Sequence, residues 1–167
     1  MQSPNRILVP VDFSDPARAA LRYATALGAQ LGASVDVLYV WDPPRNVESG
    51  KMLLVEFAKS DEGHKMMEWL SSFEQDSQVE PRGRIAPGGE AGVSDTILRE
   101  VESGDYDLVV MGTHPHHGFW HLLRGGVTDE VVRRAPCPVL TIRADDFPPP
   151  DWTDTGDADG AVPAAPV

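Results

Sequence analysis

The sequence predicts a doubly wound α/β fold, a single domain built on a five-stranded parallel sheet. Short apolar runs rich in valine, isoleucine and leucine alternate with longer segments in which apolar residues recur at spacings of three and four. This alternation is typical of strands joined by helices, and right-handed connections then cover both faces of the sheet. A length of 167 residues suits one such domain and is short for two.

The first strand is predicted at residues 7–11, a short apolar run rich in β-branched residues. The turn that follows leads into a helix. Ser14 or Asp15 can accept hydrogen bonds from free backbone N–H groups at its start, and Pro16 fits the first helical turn. An apolar stripe then runs on to Gly32, which is expected to end the helix.

The middle of the chain has a less regular pattern. One helix is predicted from 51 to 76, with a break near Ser60 as the open alternative. A strand over 79–86 is assigned to an edge of the sheet because Pro81 and Gly83 weaken it. The other predicted elements are strands at 35–40, 107–112 and 138–142 and helices at 93–103 and 127–134.

The charge of the chain excludes two classes of general partner. The formal net charge is −12, and residues 144–167 contain six aspartates with no lysine or arginine. An acidic body with an acidic tail repels nucleic acid and anionic membrane surfaces, so neither is expected as a partner. The sequence also lacks an apolar run long enough to predict a transmembrane helix.

The N-terminal segment and the cysteine content both indicate a cytoplasmic protein. The apolar run at 7–11 is too short for a signal-peptide core, and Asp12 follows it at once. Cys137 is the only cysteine, so an intrachain disulfide is excluded, which suits a reducing compartment. We interpret Cys137 as a small apolar residue at the start of a buried strand, with a redox role as the alternative.

Composition divides the chain into two parts. Residues 1–143 are assigned to the folded domain and residues 144–167 to an acidic tail rich in proline and aspartate. Phe147 and Trp152 are the only large apolar residues of this tail. Because it cannot bury enough surface to offset the entropy of ordering, the tail is predicted to be disordered. The alternative is a docking segment that uses Phe147 and Trp152.

The segment after the fourth predicted strand carries the residues of most functional interest. In a doubly wound fold, ligands bind at the carboxyl ends of the strands where the strand order reverses, which points to the residues after 7–11 and after 107–112. Gly112 follows a strand, and Gly125 and Gly126 precede a helix. Glycines in these places let a phosphate approach the backbone and expose N–H groups at the positive end of a helix dipole.

Two sets of residues together resemble the universal stress protein family over residues 5–143. The first is the octapeptide ILVPVDFS at 7–14, and the second comprises MGTH at 111–114, Gly125, VT at 127–128 and APCPVL at 135–140. The resemblance implies a Rossmann-like fold, similar to that of the adenine nucleotide alpha hydrolases, with a cleft for an adenine nucleotide. It also implies a homodimer that forms through the last strand, here Val139 to Ile142.

The phosphate loop departs from the pattern of the ATP-binding family members. Their motif is a glycine, two residues, a second glycine, nine residues, and a third glycine followed by Ser or Thr. Gly112 and Gly125 match it, but Pro115 replaces the second glycine and Gly126 replaces the Ser or Thr. Proline has no N–H to donate to a phosphate oxygen, and Gly126 supplies no hydroxyl. We therefore expect weaker ATP binding, its absence, or a preference for fewer phosphates.

The resemblance also assigns roles within the cleft. Asp12 and the backbone of Val40 would meet the adenine end, and Met111 and Gly112 the ribose and α-phosphate. The ligand would be ATP or another adenine nucleotide, with Mg²⁺ only if ATP binds. The full predicted nucleotide-binding set is Val11, Asp12, Val40, Met111, Gly112, His114, Gly125, Gly126, Val127 and Thr128.

Four histidines lie close together in the loop between 113 and 126. His117 and His121 are four residues apart, so they would share one face of a helix and could chelate Zn²⁺. Protonated histidines could instead contact phosphates. The third interpretation is a solvated loop without metal, since no cysteine or glutamate nearby supplies a further ligand.

The sequence favours a non-catalytic stress-response or regulatory module that binds a protein partner not identified by the sequence. It contains no Walker lysine motif and no nucleophile elbow. Asp12 could act as a base, but it also fits a residue that stabilises the turn and positions a ligand. The alternatives are an ATP-binding switch or weak ATPase, and a metal-binding protein that uses the histidine loop.

Overall fold

The structure is a computed structural model that describes residues 3–43, 51–74, 79–88, 92–113 and 126–144. The strands are β1 (Arg6–Pro10), β2 (Ser34–Trp41), β3 (Arg82–Pro87), β4 (Leu108–Thr113) and β5 (Val139–Arg143). The helices are α1 (Asp15–Leu31), α2 (Lys51–Lys59), α3 (Asp61–Glu74), α4 (Gly92–Ser103) and α5 (Val127–Arg134). Residues 114–125, which include the histidine loop, and residues 145–167 of the acidic tail lie outside the described residues.

The five strands form one parallel sheet in the order β3-β2-β1-β4-β5. This arrangement confirms the predicted fold class, and it places β3 at an edge as expected from Pro81 and Gly83. The chain winds from β1 towards β3 and then returns to the other side of β1 with β4. The strand order therefore reverses between β1 and β4, where a ligand crevice is expected in such sheets.

Both faces of the sheet are covered by helices, and successive side chains of a strand enter different cores because they point to opposite faces. Ile7 and Val9 pack into a core that β1 shares with helices α1, α2 and α3. Leu8 and Val109 pack into a second core on the opposite face, together with residues of α4 and α5. The strands are apolar on both sides because each side packs into one of these two cores, as the sequence predicted for a doubly covered sheet.

The first helix begins and ends as its sequence predicts. Ser14 is its N-cap and accepts a hydrogen bond from the N–H of Ala17 at 3.4 Å. Gly32 is the C-cap with φ of 69°, and its N–H bonds to the carbonyl of Gly28. A left-handed backbone at this position favours glycine over other residues.

The prediction of one helix over 51–76 is wrong and the alternative of a break near Ser60 is confirmed, because α2 and α3 are separate helices that meet at Ser60. The hydroxyl of Ser60 donates to the carbonyl of Phe57 at 2.7 Å and accepts from the N–H of Gly63 at 3.0 Å. A Cβ on Gly63 would lie 1.9 Å from the carbonyl oxygen of Phe57. The apolar spacing is nearly continuous across the break, whereas the capping hydroxyl and the missing side chain divide the helix.

The remaining boundaries differ little from those predicted. The first, fourth and fifth strands are each offset by one residue at both ends. The third strand begins at Arg82 rather than at 79, since Pro81 cannot donate to the neighbouring strand. Among the helices of the described residues, none has the length and apolar character needed to cross a membrane.

Asp36 is the one buried carboxylate among the described residues, and it organises the amino-terminal side of the sheet. It accepts hydrogen bonds from the hydroxyl of Tyr106 at 2.6 Å, Nε of Arg82 at 2.7 Å and the guanidinium of Arg6 at 3.2 Å. Burial pushes the pKa of Asp36 upward, but these donors outweigh it, so the pKa lies below its usual range. Burial of Tyr106 and its hydrogen bond to the carboxylate of Asp36 raise the pKa of the Tyr106 hydroxyl to about 12.

Replacing this carboxylate is expected to destabilise the fold. Asp36→Asn should lower the free energy of unfolding by about 2–3 kcal/mol at neutral pH, the cost of losing hydrogen bonds to a charged group. Because folding lowers the pKa of Asp36, the loss should disappear as pH falls through the folded pKa. Urea titrations from neutral to acidic pH measure both effects.

Asp105→Asn, the same chemical change at an exposed position, is the control and should leave stability unchanged within about 0.5 kcal/mol. Equal losses in the two variants would show that the network around Asp36 adds little to stability.

Candidate functional site

A cleft of about 300 Å³ opens at the carboxyl edge of the sheet, between β1 and β4. The two strands pair at Ile7 with Leu108 and at Leu8 with Val109, and beyond these pairs they diverge around the cleft. The described lining consists of Pro10, Val11, Asp12, Ser14, Ala17, Val93, Ile97, Met111, Gly112, Thr113, Gly126, Val127, Thr128 and Asp129. The volume lies at the lower end of the range for small-molecule sites.

One wall of the cleft is the tight turn that joins β1 to α1. The carboxylate of Asp12 accepts from the N–H of Ser14 at 3.0 Å and from its hydroxyl. Phe13 between them has φ of 61°, a left-handed conformation that is uncommon for a residue with a large side chain. This conformation folds the turn back so that Asp12 and Ser14 both face the cleft.

The floor of the cleft depends on the missing side chain of Gly112 at the end of β4. A Cβ on Gly112 would lie 2.4 Å from the carbonyl carbon of Pro16 and 2.6 Å from the backbone nitrogen of Ala17. The first turn of α1 therefore rests directly on the backbone of β4. The hydroxyl of Thr128 donates to the carbonyl of Gly112 at 3.1 Å and ties the start of α5 to the same point.

The start of α5 forms the opposite wall. Gly126 is the N-cap, with φ of −71° and no side-chain hydrogen bond to the helix. No described atom lies within 4 Å of the position that its Cβ would occupy, so the site has room for a side chain. Asp129 and Glu130 stand in the first turn, where negative side chains interact favourably with the helix dipole.

Side-chain bonds hold α5 against α4, whose Val93 and Ile97 form the apolar side of the cleft. The buried hydroxyl of Ser94 donates to Glu130 at 2.6 Å, and Arg134 bonds to Glu130 and to Asp95, each at 2.6 Å. The hydrogen bond from Ser94, with that from Arg134, lowers the pKa of Glu130. This network keeps the start of α5 in place.

The charges of the described lining are negative. Asp12 and Asp129 contribute carboxylates, and no lysine, arginine or histidine belongs to the described part of the lining. Uncharged donors remain for an anion: the backbone N–H groups at the start of α5 and the hydroxyl of Thr113. In the ranges that the structure describes, no three His, Cys, Asp or Glu side chains are grouped to hold a metal.

The structure brings most of the sequence-predicted binding residues to this one cleft. Val11, Asp12, Met111, Gly112, Gly126, Val127 and Thr128 all line it. Val40, whose backbone was predicted to meet the adenine end, is not among the described lining residues. Its half-buried side chain packs against the core beneath α4 and α5. His114, Gly125 and Pro115 lie outside the described residues, as do the metal candidates His117 and His121.

Sequence reasoning missed several residues of the cleft. Val93 and Ile97 lie in the helix predicted at 93–103, for which the sequence indicated no binding role, and Ser14 was predicted only as a cap. Ala17 and Asp129 carried no separate signal. The spacing of four between Val93 and Ile97 places them on one helix face, but only the packing of α4 shows that this face borders the cleft.

Cys137 is half-buried and packs against the core that α4 and α5 share with the sheet. Burial raises the pKa of its thiol. A raised pKa disfavours the reactive thiolate, which supports a packing role over a redox role.

The steric role of Gly112 gives a stability test. Gly112→Ala should lower the free energy of unfolding by about 1–3 kcal/mol, since its methyl group would overlap the backbone of Pro16 and Ala17. Gly126→Ser, which has room and a suitable backbone, should change it by less than about 0.5 kcal/mol. Urea unfolding of both variants measures the difference, and equal values would contradict the proposed contact.

Sequence comparison relates the whole folded part of the chain to proteins already described. The family model of the universal stress protein family matches residues 4–143. A universal stress protein of Methanocaldococcus jannaschii is 27% identical over 141 residues, which cover 83% of this chain and 81% of that relative.

Solved structures agree with the family match. The universal stress protein UspA from Lactobacillus plantarum is 26% identical, with a TM-score of 0.60 over 85% of this chain and 100% of that one. An Arabidopsis thaliana member determined with AMP bound is 21% identical, with a TM-score of 0.56 over 87% of this chain and 96% of that one. With its parallel sheet, reversed strand order and matched length, the chain belongs to the universal stress protein family.

Proposed function

We propose that the chain binds an adenine nucleotide in the cleft between β1 and β4, that it prefers a nucleotide with one phosphate, and that it acts as a non-catalytic regulatory module. The observation that carries the proposal is the cleft itself. It lies at the reversal of strand order and combines an apolar wall, a fixed carboxylate and a helix N-terminus. The AMP complex of the Arabidopsis thaliana relative supports the choice of ligand class.

The part of the cleft suited to adenosine is made of described residues. Ile97, Met111 and Ala17 are buried apolar residues that can contact the flat surfaces of a base or sugar. Asp12 is an acceptor held in one orientation by two hydrogen bonds from Ser14. A fixed carboxylate beside an apolar wall suits an amino group or a ribose hydroxyl, because each can donate to it.

The part suited to phosphate favours a small anionic charge. Backbone N–H groups at the start of α5 can donate to phosphate oxygens, and the helix dipole adds a partial positive charge. Asp129 lies in the same helical turn, and the described lining offers no cationic side chain to oppose it. Each additional phosphate brings more negative charge towards Asp129, so ATP should need Mg²⁺ to bind well.

The surroundings of Asp12 support a binding role over a catalytic one. Both hydrogen bonds from Ser14 reach Oδ1 of Asp12, which fixes the carboxylate and leaves Oδ2 to accept a hydrogen bond from a ligand donor. The described lining also offers no histidine or lysine that could act beside it. Occupancy of the cleft, rather than turnover of the nucleotide, would then be the signal that partner proteins detect.

Calorimetric titration of nucleotide-stripped protein with AMP, ADP and ATP, with and without Mg²⁺, tests the proposal. We expect AMP to bind more tightly than ATP in the absence of Mg²⁺. Val127→Trp, which fills the cleft at the start of α5, should weaken AMP binding at least about tenfold, equivalent to about 1.4 kcal/mol.

The matched control is Val132→Trp, which places the same side chain on the same helix at an exposed position outside the lining. It should leave the affinity for AMP unchanged. ATP binding more tightly than AMP without Mg²⁺ would replace the single-phosphate preference with an ATP-binding switch. No binding of any nucleotide would remove the proposal as a whole.

Restoring the hydroxyl absent from Gly126 provides a gain-of-function test. Gly126→Ser should tighten AMP binding by about tenfold, since a hydrogen bond to a charged group contributes about 1.5 kcal/mol or more. Gly126→Ala adds a Cβ without a hydroxyl and should not tighten binding. If both variants bind AMP equally, the position of residue 126 relative to the phosphate is not the one proposed.

A further inference from the structure

A second concave surface lies between α1 and α3, on the outer side of the turn that borders the nucleotide cleft. Its described lining is Phe13, Arg18, Lys65, Glu68, Trp69 and Ser72, and its volume is about 340 Å³. We refer to these six residues as the α1–α3 groove. None of them belongs to the lining of the nucleotide cleft.

The floor of the α1–α3 groove is aromatic and already packed. The ring of Phe13 meets that of Trp69 edge to face, with centroids 5.3 Å apart. Phe13 also contacts Tyr39 at 4.8 Å between centroids. The guanidinium of Arg18 lies 4.8 Å from the centre of the Trp69 ring, in a cation–π contact. The groove thus places a positive charge over a buried indole and beside the half-buried ring of Phe13.

The charge of the groove is positive in an otherwise acidic chain. Arg18 and Lys65 form no salt bridge with any carboxylate among the described residues. Glu68 is the only carboxylate in the described lining. With a formal net charge of −12 for the whole chain, a groove that sets two cations against one carboxylate beside the half-buried ring of Phe13 fits an acidic segment that carries aromatic residues.

We propose that the α1–α3 groove is the docking site for the chain's own C-terminal segment, residues 145–167. This segment has the complementary chemistry, with six aspartates, no lysine or arginine, and the aromatic residues Phe147 and Trp152. Asp151 adjoins Trp152 and Asp154 follows two residues later. An indole on the groove floor would therefore bring carboxylates towards Arg18 and Lys65.

The length of the segment is sufficient for the path to the groove. β5 ends at Arg143 on the same edge of the sheet as the start of α1, and α1 packs against both β4 and β5. From β5 to β1 is about 10 Å at about 4.8 Å per strand, and α1 adds about 10–12 Å. The eight residues from 145 to 152 span up to about 26 Å when extended.

Two features reduce the cost of docking. A run of three prolines, Pro148 to Pro150, separates the two aromatic residues, and the fixed φ of proline reduces the entropy that the segment loses on docking. Attachment to the same chain also gives the segment a high effective concentration, in the millimolar range for short linkers. Weak individual contacts are then enough to keep the groove occupied.

Fluorine NMR on the full chain, labelled with 5-fluorotryptophan, tests the proposal. The chain has four tryptophans, and Trp152→Phe identifies the signal of Trp152. In the folded chain, the chemical shift of Trp152 should differ from its value in concentrated urea. In the double variant Arg18→Glu with Lys65→Glu, it should return to the urea value. The signal of Trp41, a buried core residue, should stay unchanged and so report that the variant is folded.

Three further variants separate docking from general charge effects. Lys51→Glu with Arg133→Glu changes the net charge equally at exposed positions elsewhere and should leave the Trp152 signal in place. Asp151→Lys with Asp154→Lys, added to the Arg18→Glu and Lys65→Glu background, should restore its shift. Glu68→Gln removes the carboxylate of the groove, so a higher salt concentration should be needed to release the C-terminal segment.

Two results would overturn the proposal. The first is a chemical shift of Trp152 in the unmodified chain at low salt that equals its value in concentrated urea. The second is a shift that disappears on dilution, since this would assign the contact to a second copy of the chain rather than to the chain's own segment. The nucleotide titration does not enter this test, so the two proposals can fail independently.

Discussion

The contact between Gly112 and the first turn of α1 is the constraint on which the functional region depends. Because Gly112 has no side chain, the backbone of Pro16 and Ala17 can lie directly on the end of β4. This approach fixes the turn that precedes α1, and Thr128 fixes the start of α5 at the same glycine. A close backbone contact thus sets the distance between the two walls of the cleft before any ligand is present.

The turn after β1 has two functional sides. Asp12 and Ser14 face the cleft, whereas Phe13 points to the aromatic floor of the α1–α3 groove. Left-handed backbone at a residue with a large side chain costs about 1–3 kcal/mol and persists only where the surroundings compensate for it. Here the packing of Phe13 against Tyr39 and Trp69 supplies that compensation. The conformation of this one residue therefore affects both the nucleotide cleft and the α1–α3 groove.

Local chemistry explains where sequence-based prediction succeeded. The caps Ser14 and Gly32 and the strand runs act within a few residues of the chain, so their patterns were visible in the sequence. The break at Ser60 was harder, because the apolar spacing continues across it. The hydrogen bonds of the Ser60 hydroxyl and the close approach of Gly63 to Phe57 divide the helix. Interpreting Gly112 as a phosphate-contact glycine overlooked its steric role, since the groups it must avoid lie in α1.

The sequence by itself determined the parallel doubly wound sheet, the family, and the departures from the ATP-binding motif at Pro115 and Gly126, because these depend on residue type and spacing. Only the tertiary structure decided which residues share the cleft: it added Ile97 and Asp129 and left Val40 out of the described lining. It also left Arg18 and Lys65 without a salt bridge to any described carboxylate. The physical reason is that these relations arise from the packing of helices far apart in sequence, which no local pattern encodes.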